Sequence, residues 1–159
     1  MAIDPSGTGT TGVCLISENQ IEFKECQEKH WQKHYDFITS LVKVFQPSIL
    51  LFESTNFINS RNRDSLSLLR ILGAIECLAV KRIESVNVLK VKETTKLLLA
   101  GKLKISGLDY QVGRGKGWMF RECKYPNLNQ GEWKRINIHQ LEAFIVYWIW
   151  KEKNQKTSS

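Results

Sequence analysis

Proline is scarce in this chain, three in 159 residues, and glycine stands at ten. That excludes collagen-like repeats and linker-dominated architectures. Cysteine occurs four times, at Cys14, Cys26, Cys77 and Cys123, and never as a CxxC pair. Four thiols so placed do not form a disulfide framework; they fit a reducing compartment, and a cytoplasmic location is expected. No apolar run reaches the length of a membrane span. The most apolar stretch, 141–150, is too short and contains Glu142, so no membrane partner is expected. No internal repeat is present. The length excludes folds that need two full lobes, and any α/β barrel. Hydrophobic residues at 42% and charged residues at 25% exclude global disorder. One domain is expected over 1–153, with a polar tail at 154–159.

Most of the chain also lacks any excess of charge. The net charge of +7 is carried between Lys81 and Lys124, where eleven basic residues face four acidic ones. The remainder balances, twelve against twelve. Lys92, Lys96, Lys102, Lys104, Arg114, Lys116 and Arg121 belong to the charged segment. A field so localised suits a polyanion, nucleic acid first and an anionic membrane second. A solvated basic face without a partner gives the same count.

Apolar residues at Trp31, Tyr35, Ile38, Leu41, Val42 and Phe45 follow helical spacing, and Pro47 stops the run, which predicts a helix over 31–45. Residues 65–80 are apolar nearly all round. A helix of that kind packs on a core and on something else, and a partner subunit is expected there. Further helices are expected over 92–100, ended by Gly101, and over 138–151. Strands are expected at 13–16, 21–23, 48–52 and 86–89, besides the short run before Asp4. Residues 102–132 read as an irregular basic insertion rich in glycine and aromatics. Strands come first as hairpins and then alternate with helices. That order predicts an α/β fold, a mixed sheet with helices on both faces.

Two carboxylates stand at strand ends beside loops, where open-sheet active sites collect their residues: Asp4 and Glu53. His139 and Glu142 are three apart on an expected helix and share one face. Singly, each has an ordinary explanation: an Asp-Pro turn, a loop acid, a helix-start histidine. Together they make a hard, oxygen-rich site suited to Mg²⁺ or Mn²⁺ rather than zinc. Beside a basic segment, that chemistry is metal-assisted phosphodiester hydrolysis. Cys26, His30 and His34 are spaced by four, but a fourth zinc ligand is missing. His30 and His34, flanked by Lys29 and Lys33, read as solvent face.

Five segments, in order, resemble a known family. They are Ala2-Ile3-Asp4-Pro5-Ser6-Gly7-Thr8-Gly9-Thr10-Thr11-Gly12, Leu50-Leu51-Phe52-Glu53, the run from Asn62-Arg63-Asp64-Ser65 to Gly73-Ala74, Val91-Lys92 to Gly101, and His139-Gln140-Leu141-Glu142-Ala143. The chain resembles the RuvC-type Holliday-junction resolvases of the RNase H-like superfamily, and among them the resolvases carried by phages of Gram-positive bacteria. The resemblance implies a five-stranded mixed sheet, three antiparallel strands followed by parallel ones. It implies that Asp4, Glu53, His139 and Glu142 hold two divalent ions and that Lys96 lies near the scissile phosphate. It also implies branched DNA as substrate, a homodimer through the 65–80 helix, and action in the cytoplasm of a bacterial host. Phe57 and Trp118 are candidates for stacking on opened bases. Glu142 stands where the family usually has Asp, Asn56 stands where relatives carry a wedging aromatic, and only three residues precede Asp4. A branched-DNA binder without cleavage, and an actin-like phosphate-binding domain sharing the Asp-x-Gly-Thr-like first loop, are the alternatives.

Overall fold

The computed structural model describes residues 1–18, 20–55, 62–105 and 134–155, and the backbone alone of 108–111, 117–122 and 156. Strands β1 (Ala2–Asp4), β2 (Gly9–Ile16), β3 (Ile21–Glu28), β4 (Ile49–Ser54) and β5 (Arg82–Asn87) form one sheet in the order β3-β2-β1-β4-β5. The pairs β1–β2 and β2–β3 are antiparallel; β1–β4 and β4–β5 are parallel. This is the expected five-stranded mixed sheet. Helices α1 (Trp31–Phe45) and α2 (Arg63–Glu76) cover one face, α3 (Val88–Leu99) and α4 (Ile138–Lys156) the other.

Strand side chains alternate between faces, and that alternation aims the chemistry. Ile3, Leu50 and Phe52 pack with Ile38, Ile71 and Ile75 beneath α1 and α2. Ala2 and Leu51 pack with Val91, Leu98, Leu141 and Ile145 beneath α3 and α4. Asp4 and Glu53 lie two residues beyond Ala2 and Leu51, so both fall on the α3/α4 side. They stand at the ends of parallel neighbours, where Ile3 pairs with Phe52.

Local chemistry sets the helix ends. α1 ends at Gln46, whose φ of 44° makes it a left-handed cap with its N–H on the Val42 carbonyl. It spans the predicted residues. α2 begins two residues before the expected 65, because the Asn62 side chain accepts from Asp64 N at 2.9 Å. It ends at Glu76, before the expected 80, because the Leu78 and Val80 N–H groups close tight turns onto Ile75 and Leu78. The strand expected at 86–89 is instead β5, ending at Asn87. Asn87 caps α3 through Leu89 N at 2.8 Å, so the β-prone Val88-Leu89 pair is helical. α4 runs past the expected 151, through Asn154 and its two followers to Lys156.

The expected irregular insertion contains regular structure. β6 (Leu108–Gln111), β7 (Gly117–Glu122) and β8 (Lys134–Asn137) form a second, antiparallel sheet. Its glycines and basic residues hid the alternation that marks a strand. β8 runs directly into α4. A reciprocal pair closes the junction: Gln140 N donates to Asn137 Oδ1 and Asn137 N to Gln140 Oε1, each at 2.9 Å. This capping box fixes the angle at which α4 leaves the strand.

His34 is fully buried, not on the solvent face as its lysine neighbours implied. In the neutral ring Nε2 donates to the Glu28 carbonyl at 2.9 Å, and Nδ1 accepts the Thr11 hydroxyl at 2.9 Å. Thr11 Oγ1 in turn accepts from Ser6 N at 3.0 Å, which ties down the turn after Asp4. A helical residue reads as exposed from charged neighbours, yet one position in each turn faces inward.

Gly12 on β2 lies directly against the backbone of His139 and Gln140, leaving no room for a Cβ. Gly12→Ala must therefore push the start of α4 away from the sheet. A loss of about 1–3 kcal/mol is expected in urea unfolding, the usual cost of overpacking against backbone. A variant as stable as the parent chain would show that α4 is not held so closely.

Candidate active site

Asp4 is buried, 6% exposed, at the end of the central strand. The first turns of α4 come over it. His139 Nδ1 is 2.7 Å from Asp4 Oδ2, and Glu142, 4% exposed, follows one turn later. Ligand atoms of Asp4, His139 and Glu142 all lie within 4.8 Å of one another. The spacing from His139 to Glu142 is what lets one helix face deliver both. Glu53 approaches from β4 and joins the cluster through a cation. Lys92 Nζ of α3 is 2.6 Å from Glu142 Oε2 and 3.8 Å from Glu53 Oε1.

The cluster therefore brings three carboxylates together with two nitrogen partners, each seated mainly on one acid. Glu53 is left over: its Oε2 is buried and makes no hydrogen bond. Burial and the charge of Asp4 push its carboxyl up to about 8, with Glu142 adding to the push and Lys92 and His139 opposing it. Glu142 is also raised, by burial first; the Lys92 hydrogen bond opposes the shift. His139 is raised chiefly by its hydrogen bond to Asp4, against the opposing effect of burial. Burial pulls the Lys92 ammonium down, but its bond to Glu142 and the charges of Glu53 and Asp4 outweigh it and hold it above its ordinary value. Such crowding of like charges is relieved by a proton or by a cation. Oxygen donors from three acids plus one imidazole, with one buried oxygen unsatisfied, fit a hard divalent cation.

The other residues singled out in the sequence fall in three places. Lys96 is exposed on α3, one turn beyond Lys92, and is not in contact with the acids by any ion pair among the described residues. Lys102 and Lys104 are exposed after α3. Arg121 and Trp118 belong to β7, whose backbone alone is described; Phe57, Arg114 and Lys116 lie outside the described residues. Lys92 was expected to meet DNA and Lys96 to lie near the scissile phosphate; the seat of Lys92 between Glu53 and Glu142 was not foreseen. Only the pitch of α3 over the sheet separates the two.

No family model matches the sequence, and no curated protein matches it. Among solved structures the chain is similar to T. thermophilus RuvC in complex with a Holliday junction substrate. That likeness has a TM-score of 0.51 and 14% identity, over 91% of this chain and 87% of that one. At that identity the likeness establishes the fold, the RNase H-like α/β arrangement.

Glu53 binds a proton in the folded chain at pH values where the unfolded chain has released it, so its ionisation lowers stability as pH rises from the ordinary carboxylate range towards about 8. His139 acts with the same sign: the stability from its raised value is complete below 6.5 and is lost as pH rises through that value. In EDTA the melting temperature should therefore fall between pH 5 and pH 8, by roughly 5 °C or more. Millimolar Mg²⁺ should restore more of it at pH 8 than at pH 5. In Glu53→Gln the fall should be much shallower. Scanning calorimetry at the two pH values reads all three; a flat profile in the parent chain would contradict the arrangement.

Proposed function

We propose that the chain is a metal-dependent endonuclease that cleaves branched DNA, Holliday junctions and related forks, leaving 5′-phosphate and 3′-hydroxyl ends. One observation carries the reading: the convergence of Asp4, His139 and Glu142 to within 4.8 Å, with the unsatisfied Glu53 carboxylate beside them. The fold supports it, since the similar RuvC structure holds a Holliday junction. So does the localised positive charge of the chain. The motif order resembles that of the phage-borne resolvases, and action in the cytoplasm of a bacterial host is part of this reading.

Asp4, Glu53, His139 and Glu142 would hold two Mg²⁺ or Mn²⁺ ions, which when bound supply Lewis acidity at the phosphate and a water of lowered pKa. The chain's own residues set the stage. Burial of Asp4 and Glu142 keeps their carboxylates from turning to bulk water. His139, held on Asp4, is fixed in rotation about its side chain. Lys92 keeps its proton at neutral pH, so on leaving Glu142 it brings a full positive charge to phosphate oxygens crowding the site. Lys96, Lys102 and Lys104 neutralise backbone phosphates further along, so that affinity falls steeply with salt. Phe57 and Trp118 stack on bases opened at the branch.

Paired cuts need two sites in one assembly, and a two-fold dimer through α2 supplies them. Away from its first turn, the outer side of α2 exposes Leu69 at 43%, with open space over Gly73. Leu69→Arg should turn a dimer into a monomer in sedimentation and abolish paired cutting. A second reading, a branched-DNA binder that does not cut, draws on one fact: Lys92 is paired with Glu142 at 2.6 Å, a cation on one of the acids.

The two readings part on one assay. Junction, flap and plain duplex are incubated with the chain in Mg²⁺ or Mn²⁺. Cleavage of the junction is expected. Glu53→Gln should bind it with parental affinity and cut at least roughly 10³-fold more slowly, a loss of several kcal/mol of transition-state stabilisation. Binding without cutting by the parent chain would select the second reading. Cutting by Glu53→Gln at the parental rate would remove Glu53 from the site.

A further inference from the structure

The charge of the sequence outside 81–124 sums to zero, yet the fold does not spread it evenly. A groove opens between the start of α1, the start of α2 and the turn between β1 and β2, where Thr8 lines it. Lys29 and His30 enter it from the turn before α1; Arg63 and Arg70 enter it from α2. Asp64 is the one acid among its lining residues. Lys29, Arg63 and Arg70 are exposed, and no ion pair among the described residues involves them. His30 caps α1 without a side-chain bond, and the Lys33 N–H turns back onto the His30 carbonyl at 3.0 Å.

The groove shares an edge of the sheet with the acid cluster. β3 ends at Glu28 opposite Gly9, and β4 ends one residue past Glu53, so α1 and α2 both start at the edge where Asp4 lies. Gly7 presses on the α2 backbone at Ser67 and Leu68, which joins the turn after Asp4 to the groove wall. The acids lie on the α3/α4 side of that edge and the groove on the α1/α2 side.

We propose that this groove is a second nucleic-acid contact, taking backbone phosphates of a duplex arm beside the cleavage site without reading sequence. The inference rests on the endonuclease reading and adds a surface that the basic segment does not include. Its chemistry is two guanidinium groups and an ammonium with no ion pair among the described residues, which match phosphodiester oxygens.

The test is fluorescence anisotropy with the full chain in EDTA, on a labelled four-way junction and a plain duplex across a salt series. The combined variant Lys29→Gln, Arg63→Gln, Arg70→Gln should bind at least about tenfold more weakly. Its log K against log salt should be flatter by about 2.7, or about 0.9 per phosphate contact. Asp64→Asn should bind a few-fold more tightly, a gain that no loss of folding can imitate. An unchanged salt slope in the triple variant, while Lys102→Gln with Lys104→Gln flattens it, would overturn the groove and leave the endonuclease reading standing. A parent chain that binds no DNA would overturn both. Loss of binding to phosphatidylglycerol vesicles but not to DNA would also overturn the groove as a DNA contact.

Discussion

Three carboxylates held at one edge of a sheet repel each other, and much of the local architecture exists to hold them there. Asp4 and Glu53 are fixed by strand pairing, Glu142 by a helix clamped at its first turn. Burial of Asp4 and Glu142 holds their side chains away from bulk water. The charges are balanced by what the fold can bring near: an imidazole on Asp4 and an ammonium on Glu142. The balance is incomplete at Glu53, and its high proton affinity is the measure of that. A cluster that were merely structural could have been built with well-packed apolar residues at less expense.

The sheet was legible because its determinants are local. Short β-branched runs and their order along the chain define five strands, and a parallel step requires the helices between them. Helix α1 was legible to the residue because a proline closes it. The boundaries of α2 and α3 were displaced by single side-chain caps, Asn62 and Asn87, whose effect depends on geometry rather than hydrophobic period. The second sheet was missed because glycine and lysine obscure alternation.

The acids of the site were legible for the same reason as the strands: a carboxylate ending an apolar run stands out in sequence. The lysine that meets them was not, because Lys92 and Lys96 lie on the same helix four residues apart. Their difference arises from how far α3 lies over the sheet, a tertiary quantity. His34 shows the converse error. Its neighbours Lys33 and Lys29 describe the surface, while its own position on the turn points to Thr11. The groove between α1 and α2 was invisible because its cations come from separate segments whose charges cancel along the chain.

The capping box between β8 and α4 has a mechanical corollary. No residue separates the accessory sheet from the helix carrying His139 and Glu142, and Asn137 belongs to both. Asn137 also donates to Glu25 on the edge strand of the main sheet, so the joint is anchored at both ends. A tilt of the accessory sheet therefore rotates the leading turn of α4 like a key in a lock, altering how far His139 stands from Asp4. Whatever presses on that sheet acts as a lever upon the spacing of His139 and Asp4, and by reciprocity fixing that spacing stiffens the sheet.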